Sequence, residues 1–161
     1  VTDDIDEIDF ALAAWREDGQ WQATALPPRT ATTLDSLLHA LRQVPADAGS
    51  VGMVSVADEF FVIVRVLGDD VRLLISDIGM ALDYSLADDV LHHLEIPLPE
   101  DEDDIIPGGD IRILDEFGIG GDEIELICDD DDLYPDQALA AFARRIGFGD
   151  QFDAVLESLP R

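Results

Sequence analysis

Apolar and polar residues alternate with a period of two over residues 9–15. Phe10, Leu12 and Ala14 share one face, and Ala11, Ala13 and Trp15 the other. That is the period of a strand. Asp18-Gly19, a dipeptide suited to a tight hairpin turn, leads to a second strand over residues 20–26, where Trp21, Ala23 and Ala25 alternate with Gln20, Gln22 and Thr24 until Pro27-Pro28 stops it. The period then lengthens: Leu34, Leu37, Leu38 and Leu41 stand at i, i+3, i+4 and i+7, which predicts a helix with Thr32 or Thr33 as N-cap and Pro45 beyond its end. Three further β segments, residues 50–56, 60–66 and 71–76, are linked by Ala57-Asp58-Glu59 and Gly68-Asp69-Asp70. Links this short make antiparallel neighbours. The run Phe60-Phe61-Val62-Ile63-Val64 is apolar on both faces and predicts a central strand covered by helices on both sides. Ser85 is read as the cap of a helix that turns Leu86, Val90 and Leu94 to the core and closes at Pro97.

Residues 97–110 combine three prolines and two glycines with Glu100, Asp101, Glu102, Asp103 and Asp104, and read as a solvated acidic linker. Beyond it the pattern is helical: weakly over 110–117, more firmly over 122–128, and clearly over 135–146. In that third segment Pro135 suits the first helical position and Asp136 the positive end of the helix dipole. Arg144 and Arg145 suit its negative end, and Gly147 the C-cap. A last helix covers residues 150–156. Residues 1–8 read as an acidic flexible tail, 9–96 as the sheet with two helices, and 111–161 as helices packed on the same single domain. The expected class is α+β: a five-stranded antiparallel sheet in the order β-β-α-β-β-β-α with additional C-terminal helices. This order is similar to that of longin and profilin-like domains, mostly binding modules, a likeness of fold that assigns no function.

Charge adds a second layer to this picture. Asp and Glu total 37 against nine basic residues, a formal charge of −28 over 161 residues, and every basic residue is Arg. With no Lys there is no Walker A phosphate loop, no pyridoxal Schiff base and no kinase-type ATP lysine. A hydrophobic fraction of 47% belongs to a folded body, not to a disordered acidic chain. Such a surface repels nucleic acid and anionic membranes and attracts basic partners, so neither direct nucleic-acid binding nor membrane binding is expected. The acidic first residues and the lack of a long apolar run lead us to expect a cytoplasmic protein. The acids are uneven: residues 85–136 hold 19 of them against Arg112 alone. They form either a docking surface for a basic partner or a solubilising face.

Chemistry is harder to place. Cys128 is the only cysteine, which excludes an intramolecular disulfide and a zinc cluster of thiolates. The tract Asp129-Asp130-Asp131-Asp132 offers carboxylates to a hard cation, yet an EF-hand loop opening at Asp129 would meet Tyr134 at its sixth position and Ala140 at its twelfth, where Gly and Glu belong. A structural role is also open, because Asp132 lies just ahead of the helix that starts at Pro135. His39, His92 and His93 form no metal-binding or triad spacing, no Gly-x-Ser-x-Gly elbow occurs, and the Gly118-Ile119-Gly120-Gly121 stretch has Glu123 in place of the third glycine of a dinucleotide loop. No cofactor, catalytic residue or metal ligand is assigned. Trp15 and Trp21 flank the first hairpin as either a recognition patch or packing.

Two stretches carry a family likeness: Phe-Ala-Leu-Ala-Ala-Trp-Arg-Glu-Asp-Gly-Gln-Trp at residues 10–21, and Cys-Asp-Asp-Asp-Asp-Leu-Tyr-Pro-Asp-Gln-Ala-Leu at residues 128–139, leading to Gly-Phe-Gly at 147–149. With the central β segments they make residues 9–156 resemble the actinobacterial family of tRNA adenosine deaminase-associated proteins. The resemblance implies a partner, the deaminase, and no mechanism. The chain has neither the His-x-Glu nor the Pro-Cys-x-x-Cys motif that such an enzyme needs around its zinc. The leading expectation is a non-enzymatic acidic binding or regulatory protein on a basic partner, which the resemblance makes the deaminase. Glu100, Asp101, Glu102, Asp103, Asp104, Asp129, Asp130, Asp131, Asp132 and Tyr134 are the candidate contact residues. The alternatives are a nucleic-acid mimic that inhibits another DNA- or RNA-binding protein, and a small enzyme built on carboxylates and a divalent cation.

Overall fold

The computed structural model describes residues 7–44, 49–100, 106–130 and 132–159. Five long strands form in the expected places: β1 (Ile8–Glu17), β2 (Gln20–Leu26), β3 (Ser50–Val56), β4 (Phe60–Leu67) and β5 (Asp70–Ile75). A sixth, β6 (Gly108–Gly109), was not expected. All pair antiparallel in the order β2-β1-β3-β4-β5-β6. Five helices complete the fold: α1 (Leu34–Arg42), α2 (Ser85–Leu94), α3 (Gly121–Cys128), α4 (Pro135–Ile146) and α5 (Gly149–Ser158).

The α+β class therefore stands, with six strands where five were expected. The extra strand arises inside the segment read as a linker. Gly108 and Gly109 pair with Ile75 and Leu74, and only residues without a β carbon fit there. A β carbon on Gly109 would collide with the Leu73 carbonyl, and its φ of +103° is one that other residues rarely adopt. The same segment is pinned further by the Ile78 N–H, which donates to the Ile106 carbonyl at 2.8 Å. At the other end, β1 opens one residue earlier than expected. Ile8 is buried, and the Glu7 carbonyl accepts from the Ala57 N–H. Residues 1–6 of the expected tail lie outside the described residues.

Period-two alternation sends the two faces of the sheet into two separate cores. Phe60, Val62, Val64 and Val66 of β4 join Ala11, Ala13, Leu73 and Ile75 beneath α1 and α2. Phe61 and Ile63 join Phe10, Leu12, Met53 and Leu74 beneath α3, α4 and α5. The second core is the more aromatic, with Phe142, Phe148 and Phe152 fully buried and Phe10–Phe152 and Phe61–Phe142 in edge-to-face contact. Truncating one such ring costs about 3–5 kcal/mol, set against a domain stability of about 5–15 kcal/mol. The C-terminal helices are thus half of the core. Trp21 belongs to this packing, with Phe148 and Phe117 beside its ring at 5.1 and 5.5 Å.

Local signals resolve as follows. Thr33 caps α1 by accepting from the Ser36 N–H. Asp18 and Gly19 both take positive φ in the β1–β2 turn, and Gly147 ends α4 with φ +120°. Ser85 is not the cap of α2 but its first residue, after Tyr84. Asp132 does not cap α4 either: the Tyr134 N–H is satisfied by the Gln137 carboxamide at 2.9 Å, from within the helix itself. Residues 110–117 form turns and one 3-10 turn, Asp115–Phe117, in place of a helix, because Asp110 bends the chain by accepting from the Arg112 N–H and the adjacent Ile113 and Leu114 both enter the core.

Replacing Gly109 with Ala is expected to lower stability by about 1–3 kcal/mol, through forced displacement of β6 and an unfavourable φ. A lowered urea midpoint with faster amide exchange at Leu73 and Ile75 would show this.

Candidate functional site

One end of the sheet meets the second helical layer imperfectly, leaving a cavity of about 400 Å³. Four pieces of chain frame it. The β3–β4 turn gives Asp58 and Glu59, and the end of β5 gives Ser76 and Asp77. The end of α3 gives Ile127 and Cys128, and the segment into α4 gives Asp130, Leu133, Tyr134 and Pro135. Phe61 and Ala138 close the floor. The lining thus holds four carboxylates, one thiol, one hydroxyl and one phenol, and no Arg or His.

Backbone chemistry explains how these groups reach the rim. In the β3–β4 turn, Ala57 and Asp58 both have positive φ, +53° and +52°, a conformation that disfavours residues other than Gly, Asn and Asp. The neighbours hold it: the Asp58 N–H donates to the Asp9 carboxylate at 2.8 Å, and the Ser55 hydroxyl donates to the same oxygen at 2.9 Å. Glu59 accepts from the Tyr84 hydroxyl at 2.9 Å. Ser76 accepts from the Phe61 N–H at 3.0 Å, and Asp77 accepts from the Gly79 N–H at 3.0 Å, capping the 3-10 turn Ile78–Leu82. On the opposite wall Asp130 folds the α3–α4 segment by accepting from the Asp132 N–H. Asp129 and Asp130 follow directly on the C-terminus of α3, where the helix dipole disfavours negative charge.

The electrostatics of this end are unrelieved. Burial pushes the Asp77 carboxyl above its ordinary range, against the bonds it accepts from Gly79 and Ile106 and helped by Glu59. Partial burial does the same at Asp9, opposed by Asp58 and Ser55 hydrogen bonds and reinforced by the charges of Asp58 and Asp136. Burial, with Asp129 and Glu125 adding to it, pushes the Cys128 thiol up to about 11. Three arginines are paired elsewhere: Arg65 meets Glu116 at 2.8 Å beneath the Phe117 ring, Arg145 meets Glu123 at 2.7 Å, and Arg72 meets Asp70 and Asp110. Among the described residues no three His, Cys, Asp or Glu side chains converge as a metal site, and no helix is long and apolar enough to cross a membrane.

The candidate contact residues separate on this map. Asp130 and Tyr134 line the cavity, and Tyr134 is 61% exposed at its mouth. Asp129 and Asp132 are exposed beside it, on the same α3–α4 segment. Glu100 is exposed beyond α2 and is not part of the lining. Asp101, Glu102, Asp103, Asp104 and Asp131 lie outside the described residues. Asp58, Glu59, Ser76, Asp77 and Cys128 were missed by the sequence reading. The short Ala57-Asp58-Glu59 link signals a tight connection between strands and no more. The histidines lie outside the cavity, all three of them exposed.

A family model described as Rv3753c-like tRNA adenosine deaminase-associated protein matches residues 9–149. The chain belongs to this family. It is also similar to Protein Rv3753c of Mycobacterium tuberculosis (strain ATCC 25618 / H37Rv), 39% identical over 155 residues, a span covering 94% of this chain and 90% of the relative. No solved structure matches. The family match runs from the second residue of β1 past the end of α4 and so includes every residue of the cavity.

Two measurements test the electrostatics. Folded Asp77 keeps its proton to a higher pH than unfolded Asp77, whose ordinary value is 3.8. Its stabilising contribution is therefore full below that value and is lost as the pH rises through the raised one. Asp77→Asn keeps an oxygen for Gly79, so its urea midpoint should gain on that of the native chain as the pH goes from about 4 to about 7; a constant gap would contradict the raised carboxyl. Cys128, held as the thiol, should be alkylated at pH near neutrality on the order of tenfold or more slowly than free cysteine.

Proposed function

We propose that this chain is a non-catalytic acidic partner protein that docks on a basic surface of a tRNA adenosine deaminase. The observation that carries the reading is the acidic end of the sheet. Four carboxylates from three separate pieces of chain surround one cavity whose lining holds no basic residue, with Asp129 and Asp132 extending the charge beside it. An arrangement that sets like charges together, two of them at the unfavourable end of a helix, costs stability. A cationic surface presented by a partner removes that cost on binding. The family description, which names a tRNA adenosine deaminase as the associated protein, supports this choice of partner, and an enzyme that acts on tRNA has reason to carry positive charge. Binding is then expected to be steered by charge and sensitive to salt.

Co-purification of the chain with the deaminase of the same organism tests this. A stable complex is expected at about 0.05 M salt, weakening by about tenfold or more at about 0.5 M. Absence of a complex at the lower salt overturns the proposal, and a complex indifferent to salt overturns its electrostatic basis. Recovery of a different nucleic-acid-binding protein, with no deaminase, would favour the mimic reading instead.

A further inference from the structure

The cavity has more structure than a charged surface requires. Its volume, about 400 Å³, falls in the range of about 300–1,000 Å³ typical of sites that engulf a small group. Phe61, Ile127, Leu133 and Pro135 make one part of the lining apolar, while Asp58, Glu59, Asp77 and Asp130 place carboxylates around it. Asp77 is only 5% exposed, and no basic side chain shares the lining with it. Tyr134 stands at the mouth, an exposed residue. An apolar ligand would bury those carboxylates further with no cation beside them, which is costly. A bare divalent ion would find no converging ligands among the described residues.

Resting on the docking reading above, we infer that this cavity is the receptor for a single arginine side chain of the basic partner. The aliphatic stem of an arginine matches the apolar lining. Its planar guanidinium stacks on an aromatic face such as that of Tyr134, and its fork of donors serves carboxylates on two walls, Asp77 on one and Asp130 on the other. Lysine offers a compact, strongly hydrated charge and no plane to stack, so it fits less well. A desolvated arginine anchored in a pocket is also the kind of contact that dominates an interface, surrounded by weaker ones. The exposed acids outside the cavity then guide approach, and the cavity fixes position.

The test has two arms, both on the full chain. In the first, amide chemical shifts are followed at low salt during titration with N-acetyl-argininamide, N-acetyl-lysinamide and the neutral isostere N-acetyl-citrullinamide. Saturable shifts gathered at Ser76, Cys128, Leu133 and Tyr134 are expected for the arginine compound. Binding of the lysine compound should be several-fold weaker, the citrulline compound should be silent, and both Tyr134→Ala and Asp130→Asn should weaken the response. Unsaturable shifts scattered over the exposed acids, or equal binding of the arginine and lysine compounds, overturn the inference. In the second arm, Tyr134→Ala is expected to weaken the deaminase complex by about tenfold or more, while Asp153→Asn, on the exposed side of α5, leaves it unchanged. A complex indifferent to Tyr134→Ala overturns the inference and leaves the docking reading standing. A saturable arginine site without any deaminase complex overturns the assignment to a partner side chain and marks the cavity as a site for a free guanidine.

Discussion

The structure depends on one constraint: residues 60–64 of β4 are apolar on both faces, so the sheet needs cover on both. Phe60, Val62 and Val64 point one way and Phe61 and Ile63 the other, all buried. The chain up to Leu94 supplies α1 and α2 for one side only. The acidic second half is therefore obliged to fold back as α3, α4 and α5 across the other, burying Phe142, Phe148 and Phe152 as it does so. Of the acids in residues 85–136, Asp122, Glu123, Glu125, Asp129, Asp130, Asp132 and Asp136 belong to α3, the α3–α4 segment and the start of α4. Charge and core are two aspects of the same segment.

The return path also creates the cavity. α3 and α4 are separate helices joined by a short acidic segment, and where they meet the end of the sheet the packing leaves Phe61, Pro135 and Ala138 as a floor with carboxylates above. Several features there run against stability: two consecutive non-glycine residues with positive φ, a buried Asp77, and acids at the C-terminus of α3. Each is held by identifiable bonds, from Asp9, Gly79 and Asp132 in turn. Strain and unfavourable charge gathered at one place are the usual mark of a working surface.

How far this was legible follows from which interactions are local. The strands and helices announce themselves because Phe10, Leu12 and Ala14, or Leu34, Leu37, Leu38 and Leu41, repeat with the period of their element. Thr33 and Gly147 mark their ends through chemistry within a few residues. β6 was not legible, because Gly108 and Gly109 carry no side chains and so no period; their place is set by the Leu73 carbonyl, far away in sequence. The acidic tract and Tyr134 were visible as candidates, but Asp58 and Asp77 were not. Nothing local to either residue says that its turn will face the α3–α4 segment. Likewise Asp132 looked like a cap, and the competing carboxamide of Gln137 took that role.

The edges of the sheet bear on how the molecule behaves in company. β5 is covered along two residues by β6, while β2 ends the sheet as a seven-residue strand, Gln20–Leu26, without a single charged side chain. Gln151 occupies the Trp21 carbonyl of that strand. Edge strands in most proteins carry their own lysines or prolines as local guards against pairing with another copy. Here the guard is global. Each molecule brings a formal charge of −28, and like-charge repulsion between two such bodies opposes edge pairing. Colloidal behaviour is thereby tied to the surface carboxylates, and neutralising them would remove what opposes contact between identical copies.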